Sequence, residues 1–156
     1  MCYNRINFIE RESMDNKVRP SWDEFFLNIA KVVSTRADCT RRQVGAVLVD
    51  KNHRILSTGY NGAPSGAPGC LTNNACPRGQ LTPKELAPFS PYGTCIAVHA
   101  EANAIIFAEP EVRRGSTLYI TCAPCTDCHQ LILASGIYEI IWLTPDNKIA
   151  KERQFH

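Results

Sequence analysis

Three cysteines stand at even intervals in LYITCAPCTDCHQLILASG: Cys122, Cys125 and Cys128. Two overlapping Cys-x-x-Cys pairs run through them, and each implies a different chemistry. Pro124 separates the two, because proline suits the first turn of a helix, where its missing N–H would have no partner. Cys122 is then expected at the end of a strand, and Cys125 and Cys128 in the first turns of the following helix. Residues three apart on a helix share a face. The helix N-terminus also favours thiolate over thiol, the form a metal requires. Cys125 and Cys128 are therefore read as a metal-ligating pair. Two other readings compete: a thioredoxin-type redox pair of Cys122 with Cys125, and a mere packing pair in a core helix. An iron–sulfur run fails, because its fourth ligand would fall on Ile132.

Two thiolates do not complete a zinc site. VHAEANAI supplies His99, at another expected helix start, as the natural third ligand. Glu101 follows two residues later and can reach the same place from a frayed first turn. Three protein ligands with one open position characterise catalytic zinc, whereas structural zinc is closed by four. Water on such an ion has a pKa of about 7, and Glu101, if it is not a ligand, is placed to shuttle the proton.

The elements that must hold these residues read as α/β. Residues 1–20 form a polar extension expected to be partly disordered, and 21–150 a single domain with a cysteine-flanked insertion at about 61–95. Ser21 and Glu24 predict a capping box, opening a helix whose apolar stripe is Trp22, Phe25, Phe26, Ile29, Val32 and Val33. QVGAVLVDKNHRILSTGYN reads as two strands around a turn from Asp50 to His53. The segment from Asn61 to about Gly93 is rich in Gly, Pro, Asn and Ser, and loops of that length are usually functional or metal-stapled. HAEANAIIFA is expected to be a helix with Ala102, Ile105 and Ile106 inward. STLYIT is a strand, CTDCHQLILASG a helix with Gly136 at its C′ position, and YEIIWL a further strand. The order implies a three-layer α/β/α arrangement around a central mixed sheet of about five strands.

Bulk properties narrow the classes. With 156 residues, 44% hydrophobic, 21% charged and a net charge of +2, the chain reads as one globular domain. It carries no charge signature of a nucleic-acid or membrane partner. No apolar run approaches the roughly 20 residues that span a bilayer, and the N-terminus lacks the apolar core of a secretory signal. A cytoplasmic protein is expected, in the host cytoplasm if a phage encodes it. In that setting the 8 cysteines point to metals rather than disulfides.

His99-Ala100-Glu101 with Pro124-Cys125-x-x-Cys128 is the His-x-Glu…Pro-Cys-x-x-Cys signature of the zinc deaminases. The chain resembles that superfamily, which implies a cytidine-deaminase-like fold. TRRQVGAVLVDKNHRILSTGYNGAPSG is similar to deoxycytidylate (dCMP) deaminases, and the resemblance covers roughly Ser21 to Leu143. It implies zinc on His99, Cys125 and Cys128, attack of water at C4 of cytosine, and Glu101 carrying protons to N3 and to the departing ammonia. The product would be dUMP for thymidylate synthesis.

The same resemblance implies that Asn61 contacts the sugar and that Ala100 and the Val44-Gly45-Ala46 strand line the base pocket. A packing role for Gly45 is the alternative. It associates Gly59, Tyr60, Asn61 and Gly62 with an effector site for dCTP and dTTP, with Mg2+ accompanying a triphosphate. Regulated members often carry a bulkier residue where this chain has Ala63. Arg36, Arg41 and Arg42 cluster where a 5′-phosphate could lie, or else form a solvated basic loop. Cys39, Cys70, Cys76 and Cys95 resemble cysteines that hold a second, structural zinc in some bacterial and phage dCMP deaminases, the alternative being free or buried thiols. Cys2 and Cys122 are given no role. A homo-oligomer, commonly a hexamer, is implied, with no nucleic acid and no membrane. Other readings are deamination of another cytosine nucleotide, nucleoside or base, or of tRNA adenosine, whose enzymes carry Asp-Pro-Thr where this chain has CIAV. A non-catalytic zinc module is also possible, although it would have no use for Glu101.

Overall fold

The computed structural model describes residues 18–82, 84–85 and 95–154. Residues 1–17 of the extension expected over 1–20, Cys2 among them, and part of the insertion lie outside the described residues.

Helix α1 (Trp22–Ser34) starts as its capping box dictates. Ser21 Oγ accepts from the Glu24 N–H at 3.3 Å, and the Glu24 carboxylate accepts from the Ser21 N–H at 2.7 Å. Ser21→Ala is expected to cost about 1 kcal/mol, a fall of about 3 °C in a thermal melt. The buried stripe differs from the expected one. Phe26, Leu27 and Ala30 are buried with Ile29 and Val33 beside them, whereas Trp22, Phe25 and Val32 are exposed. Trp22 stacks instead on His53, with ring centroids 4.2 Å apart.

Strands β1 (Gly45–Val49) and β2 (Ile55–Tyr60) form the expected hairpin. Asp50 Oδ1 accepts from the N–H groups of Asn52 and Arg54, each at 2.8 Å, and His53 takes the left-handed conformation at φ 60°. After the insertion, with its 3-10 turn at Arg78–Gln80, come α2 (Ala100–Ile106), α3 (Pro110–Arg113), β3 (Thr117–Ile120), α4 (Thr126–Ala134) and β4 (Glu139–Leu143). Gly136, at φ 77°, ends α4 as expected. A last strand, β5 (Ile149–Arg153), gave no sequence signal, because IAKER lacks a clear alternation. It carries the sheet past residue 150, where the domain was expected to end.

The sheet runs β2-β1-β3-β4-β5, antiparallel except for the β3–β4 pair. Alternate residues divide its core. Ala46, Leu48, Leu118, Ile120 and Ile140 face the side holding α2 and α4. Val47, Val49, Tyr119, Ile141 and Leu143 face α1. This is the expected three-layer α/β/α architecture.

Two glycines let helices touch the sheet. A Cβ on Gly45 would stand 2.1 Å from the Ala30 carbonyl oxygen of α1, and one on Gly59 2.1 Å from that of Ala100 in α2. In α2, the inward residues are Ala100, Glu101, Ala104 and Ile105, while Ala102 is half-buried and Ile106 exposed. Of the expected inward residues only Ile105 is buried, since small residues spaced four apart, Ala100 and Ala104, turn another face of α2 directly onto β2. No helix among the described residues is long and apolar enough to cross a membrane.

Candidate metal centre and active-site cavity

Helices α2 and α4 share one face of the sheet, and each begins with an unusual cap. His99 and Cys125 are the N-cap residues, both in extended backbone, and neither side chain bonds to the first turn of its own helix. Ser, Thr, Asp or Asn is usual there. Here the two caps turn toward one another. His99 Nδ1 lies 3.5 Å from Cys125 Sγ and 3.3 Å from Cys128 Sγ. The three donor atoms lie within 4.8 Å of one another, and among the described residues no other set of three or more such donors clusters as tightly. Ligands at about 2.1 Å (N) and 2.3 Å (S) around a tetrahedral zinc stand about 3.5–3.8 Å apart, so the donor set fits the ion.

Pro124 sits just before the cap rather than inside the first turn, since α4 starts at Thr126. It favours extended backbone at Ala123 and so carries the chain out of β3. Cys122 is not part of the cluster. Its thiol is pushed up to about 11, chiefly by burial, with Arg42 opposing. A redox pair needs a thiol shifted the other way. These observations oppose the thioredoxin reading.

Glu101, in the first turn of α2, is only 4% exposed. Burial raises its carboxyl above the usual range, while its own backbone N–H, His99, Cys128 and Arg42 pull the other way. A carboxyl held closer to neutrality is suited to both accepting and donating a proton.

A cavity of about 530 Å³ opens beside this centre, within the range of small-ligand sites. Of the expected pocket residues, Val44, Asn61, Ala100, Arg41 and Arg42 line it. Gly45 and Ala46 do not: Gly45 serves packing against α1, and Ala46 belongs to the core. Arg36 is exposed just past α1 and lies outside the lining. Asn61 Oδ1 accepts from the Val44 N–H at 2.7 Å, and its Nδ2 donates to the Arg42 carbonyl at 2.8 Å. Asn61 thus staples the approach to β1, with one lone pair and one hydrogen of its amide left for a ligand. Within the expected effector turn, Tyr60 receives a hydrogen bond from Asn103 Nδ2 at 2.8 Å, and Gly62 pairs with Val98.

Cys39, Cys70, Cys76 and Cys95 line the same cavity. Cys39 Sγ accepts from the N–H groups of Arg41 and Arg42 at 3.4 Å each, and Cys76 Sγ from that of Gly79 at 3.3 Å. Cys70 is pushed up to about 11 by burial first and then by Cys76, Cys39 and Cys95, so the thiols crowd one another. Asp38 ties the insertion down, accepting from the Leu71 N–H at 2.7 Å and the Thr72 hydroxyl at 3.2 Å. Sequence reasoning missed two lining residues of note, Cys122 and Arg78. A single arginine in a Gly- and Pro-rich loop has no periodic context to mark it; its closeness to Cys76 was the available clue.

A family model described as the cytidine and deoxycytidylate deaminase zinc-binding region matches residues 20–144. The deoxycytidylate deaminase of Mycobacterium phage D29 is 48% identical over 126 residues, covering 80% of this chain and 95% of that protein. That of Schizosaccharomyces pombe is 39% identical over 136 residues, covering 85% of this chain and 40% of the yeast protein. The crystal structure of a dCMP deaminase from the cyanophage S-TIM5, in complex with dCMP and dUMP, aligns with a TM-score of 0.59 at 29% identity, covering 81% of this chain and 84% of that one.

Proposed function

The chain belongs to the cytidine and deoxycytidylate deaminase family, and on that premise we propose that it hydrolyses dCMP to dUMP and ammonia. One observation carries the reading: the buried Glu101 carboxyl stands against a His99–Cys125–Cys128 donor set beside a cavity of nucleotide size. A structural metal site would have no use for that carboxyl.

His99 Nδ1, Cys125 Sγ and Cys128 Sγ would hold the zinc. When bound, the ion supplies Lewis acidity that makes water a nucleophile at neutral pH. Glu101 takes one proton from the attacking water and passes it to N3 of the cytosine ring; it then takes the second from the hydroxyl formed on C4 and gives it to the amine as the C4–N bond breaks, leaving the C4 carbonyl. Burial of Glu101 keeps bulk water from competing for those protons. Val44 and Ala100 offer apolar walls for the ring, and Asn61 holds the wall at Val44 in place.

The test is loss of cytosine absorbance by purified, zinc-loaded protein given dCMP, deoxycytidine and dCTP separately. Turnover of dCMP well above the other two supports the reading. No turnover of any of them, with zinc verified, sinks it.

A second, structural zinc on Cys39, Cys70, Cys76 and Cys95 belongs to the same proposal. It is supported by the crowded thiols and by N–H groups aimed at two of the sulfurs. Metal analysis is expected to give roughly two zinc ions per chain, falling to about one in Cys70→Ser. A single zinc in the unaltered protein would remove the second site. Regulation by dCTP and dTTP with Mg2+ and a hexameric assembly rest on resemblance, and a cytoplasmic setting on the composition of the N-terminal segment. Gly59 already has a packing role against α2, and Gly62 a backbone bridge to Val98, and neither needs an effector.

A further inference from the structure

We propose that Arg78, carried by the cysteine-flanked insertion, binds the 5′-phosphate of the substrate together with Arg41, and so sets the preference for a nucleotide over a nucleoside. The inference rests on the dCMP reading above and assigns its phosphate subsite.

A cytosine nucleotide differs from its nucleoside only in a phosphate carrying about −1.5 to −2 charges at neutral pH. Something in the cavity must answer that charge. Arg41, Arg42 and Arg78 line the cavity, and Glu101 is the one carboxylate among the described lining residues. The Arg42 backbone is held at the wall by Asn61, whose Nδ2 donates to its carbonyl at 2.8 Å. With the base at His99 and Glu101, the 5′ end of a nucleotide must point to another part of the wall.

Arg41 and Arg78 both line the cavity, on two turns of the same design. One turn folds around Cys39 Sγ, which accepts from the Arg41 and Arg42 N–H groups. The other folds around Cys76 Sγ, which accepts from the Gly79 N–H. The turns are in contact: a Cβ on Gly79 would stand 3.5 Å from Arg41 Cδ and 3.3 Å from Cys76 Cβ. Two guanidinium forks arriving from adjacent turns suit a tetrahedral dianion, which each can grip bidentately. The cysteines that shape these turns thereby connect the order of the insertion to substrate choice. Arg36, outside the lining, takes no part.

The experiment compares full-length, zinc-loaded wild type with Arg78→Ala and Arg78→Lys. It reads kcat and KM for dCMP and competitive inhibition by dUMP and by 2′-deoxyuridine. In Arg78→Ala, KM for dCMP and the inhibition constant of dUMP are expected to rise together by about 10- to 100-fold, with kcat held within about threefold. Inhibition by deoxyuridine is expected not to change, and lysine to recover part of the loss. An unchanged KM in an active enzyme overturns the proposal alone. So does an equal weakening of dUMP and deoxyuridine, which would mark Arg78 as a loop-packing residue. Wild-type protein without dCMP turnover overturns the deaminase reading itself, and this proposal with it.

Discussion

Glu101→Ala protein is expected to bind zinc as the wild type does and to turn over dCMP about 10²- to 10⁴-fold more slowly. The zinc expectation follows from the donor set, which is complete without the carboxylate: His99 Nδ1 and the sulfurs of Cys125 and Cys128 already have the spacing of a tetrahedral site. The rate expectation follows from the work assigned to Glu101. It activates the water, protonates the ring nitrogen and protonates the leaving amine, so its removal affects the entry and the exit of the reaction alike. Glu101→Gln sharpens the test, because it keeps the volume of this buried side chain while removing its proton exchange. It is expected to be as inactive as alanine and to melt like wild type. Zinc analysis and cytosine absorbance read the outcome together. A variant that keeps a tenth of wild-type kcat with zinc bound would assign the proton transfers elsewhere.

Gly59→Ala is expected to destabilise the protein by about 3 kcal/mol, a fall of about 10 °C in the melting temperature. The added Cβ would lie 2.1 Å from the Ala100 carbonyl oxygen and 2.5 Å from the Ala104 nitrogen, both backbone atoms that no side-chain rotation can move. Ala100 stands between His99 and Glu101, so pushing α2 away from β2 also spreads the metal centre. Weaker zinc retention against a chelator should accompany the lower melting temperature. Gly59 belongs to the turn that resemblance connects with effectors, and the variant separates the two accounts. Damage in the absence of any nucleotide is the packing result. A variant that melts like wild type and loses only its response to dCTP would contradict it.

The reactive centre was legible because its signals are local. Pro124 divides Cys122 from the other two cysteines, and His99 caps, with Glu101 in its first turn, a helix whose start is marked by the change of pattern. The β1–β2 hairpin was equally plain, since an unbroken apolar run can only be covered on both faces. The failures come from tertiary context. On α2, Ile106 looks like a core residue by type, but the face that packs is set by Gly59 and by the alanines that can approach it. On α1, Trp22 and Phe25 extend the apolar pattern yet remain exposed, because the helix turns its smaller Ala30 toward Gly45. Strand β5 is specified by pairing with β4 rather than by its own residues. Arg78 becomes visible only once the insertion is folded back on the segment around Cys39.

The central claim is hydrolytic replacement of the amine at C4 of dCMP, and isotope incorporation tests it most directly. Zinc-loaded protein would convert dCMP in water enriched in oxygen-18, with the product analysed by mass spectrometry and ammonia measured alongside. The account predicts dUMP carrying the heavy oxygen at its base carbonyl, released in step with ammonia and absent with Glu101→Ala. Intact dCMP after prolonged incubation with verified zinc, or dUMP without the heavy oxygen, would contradict it.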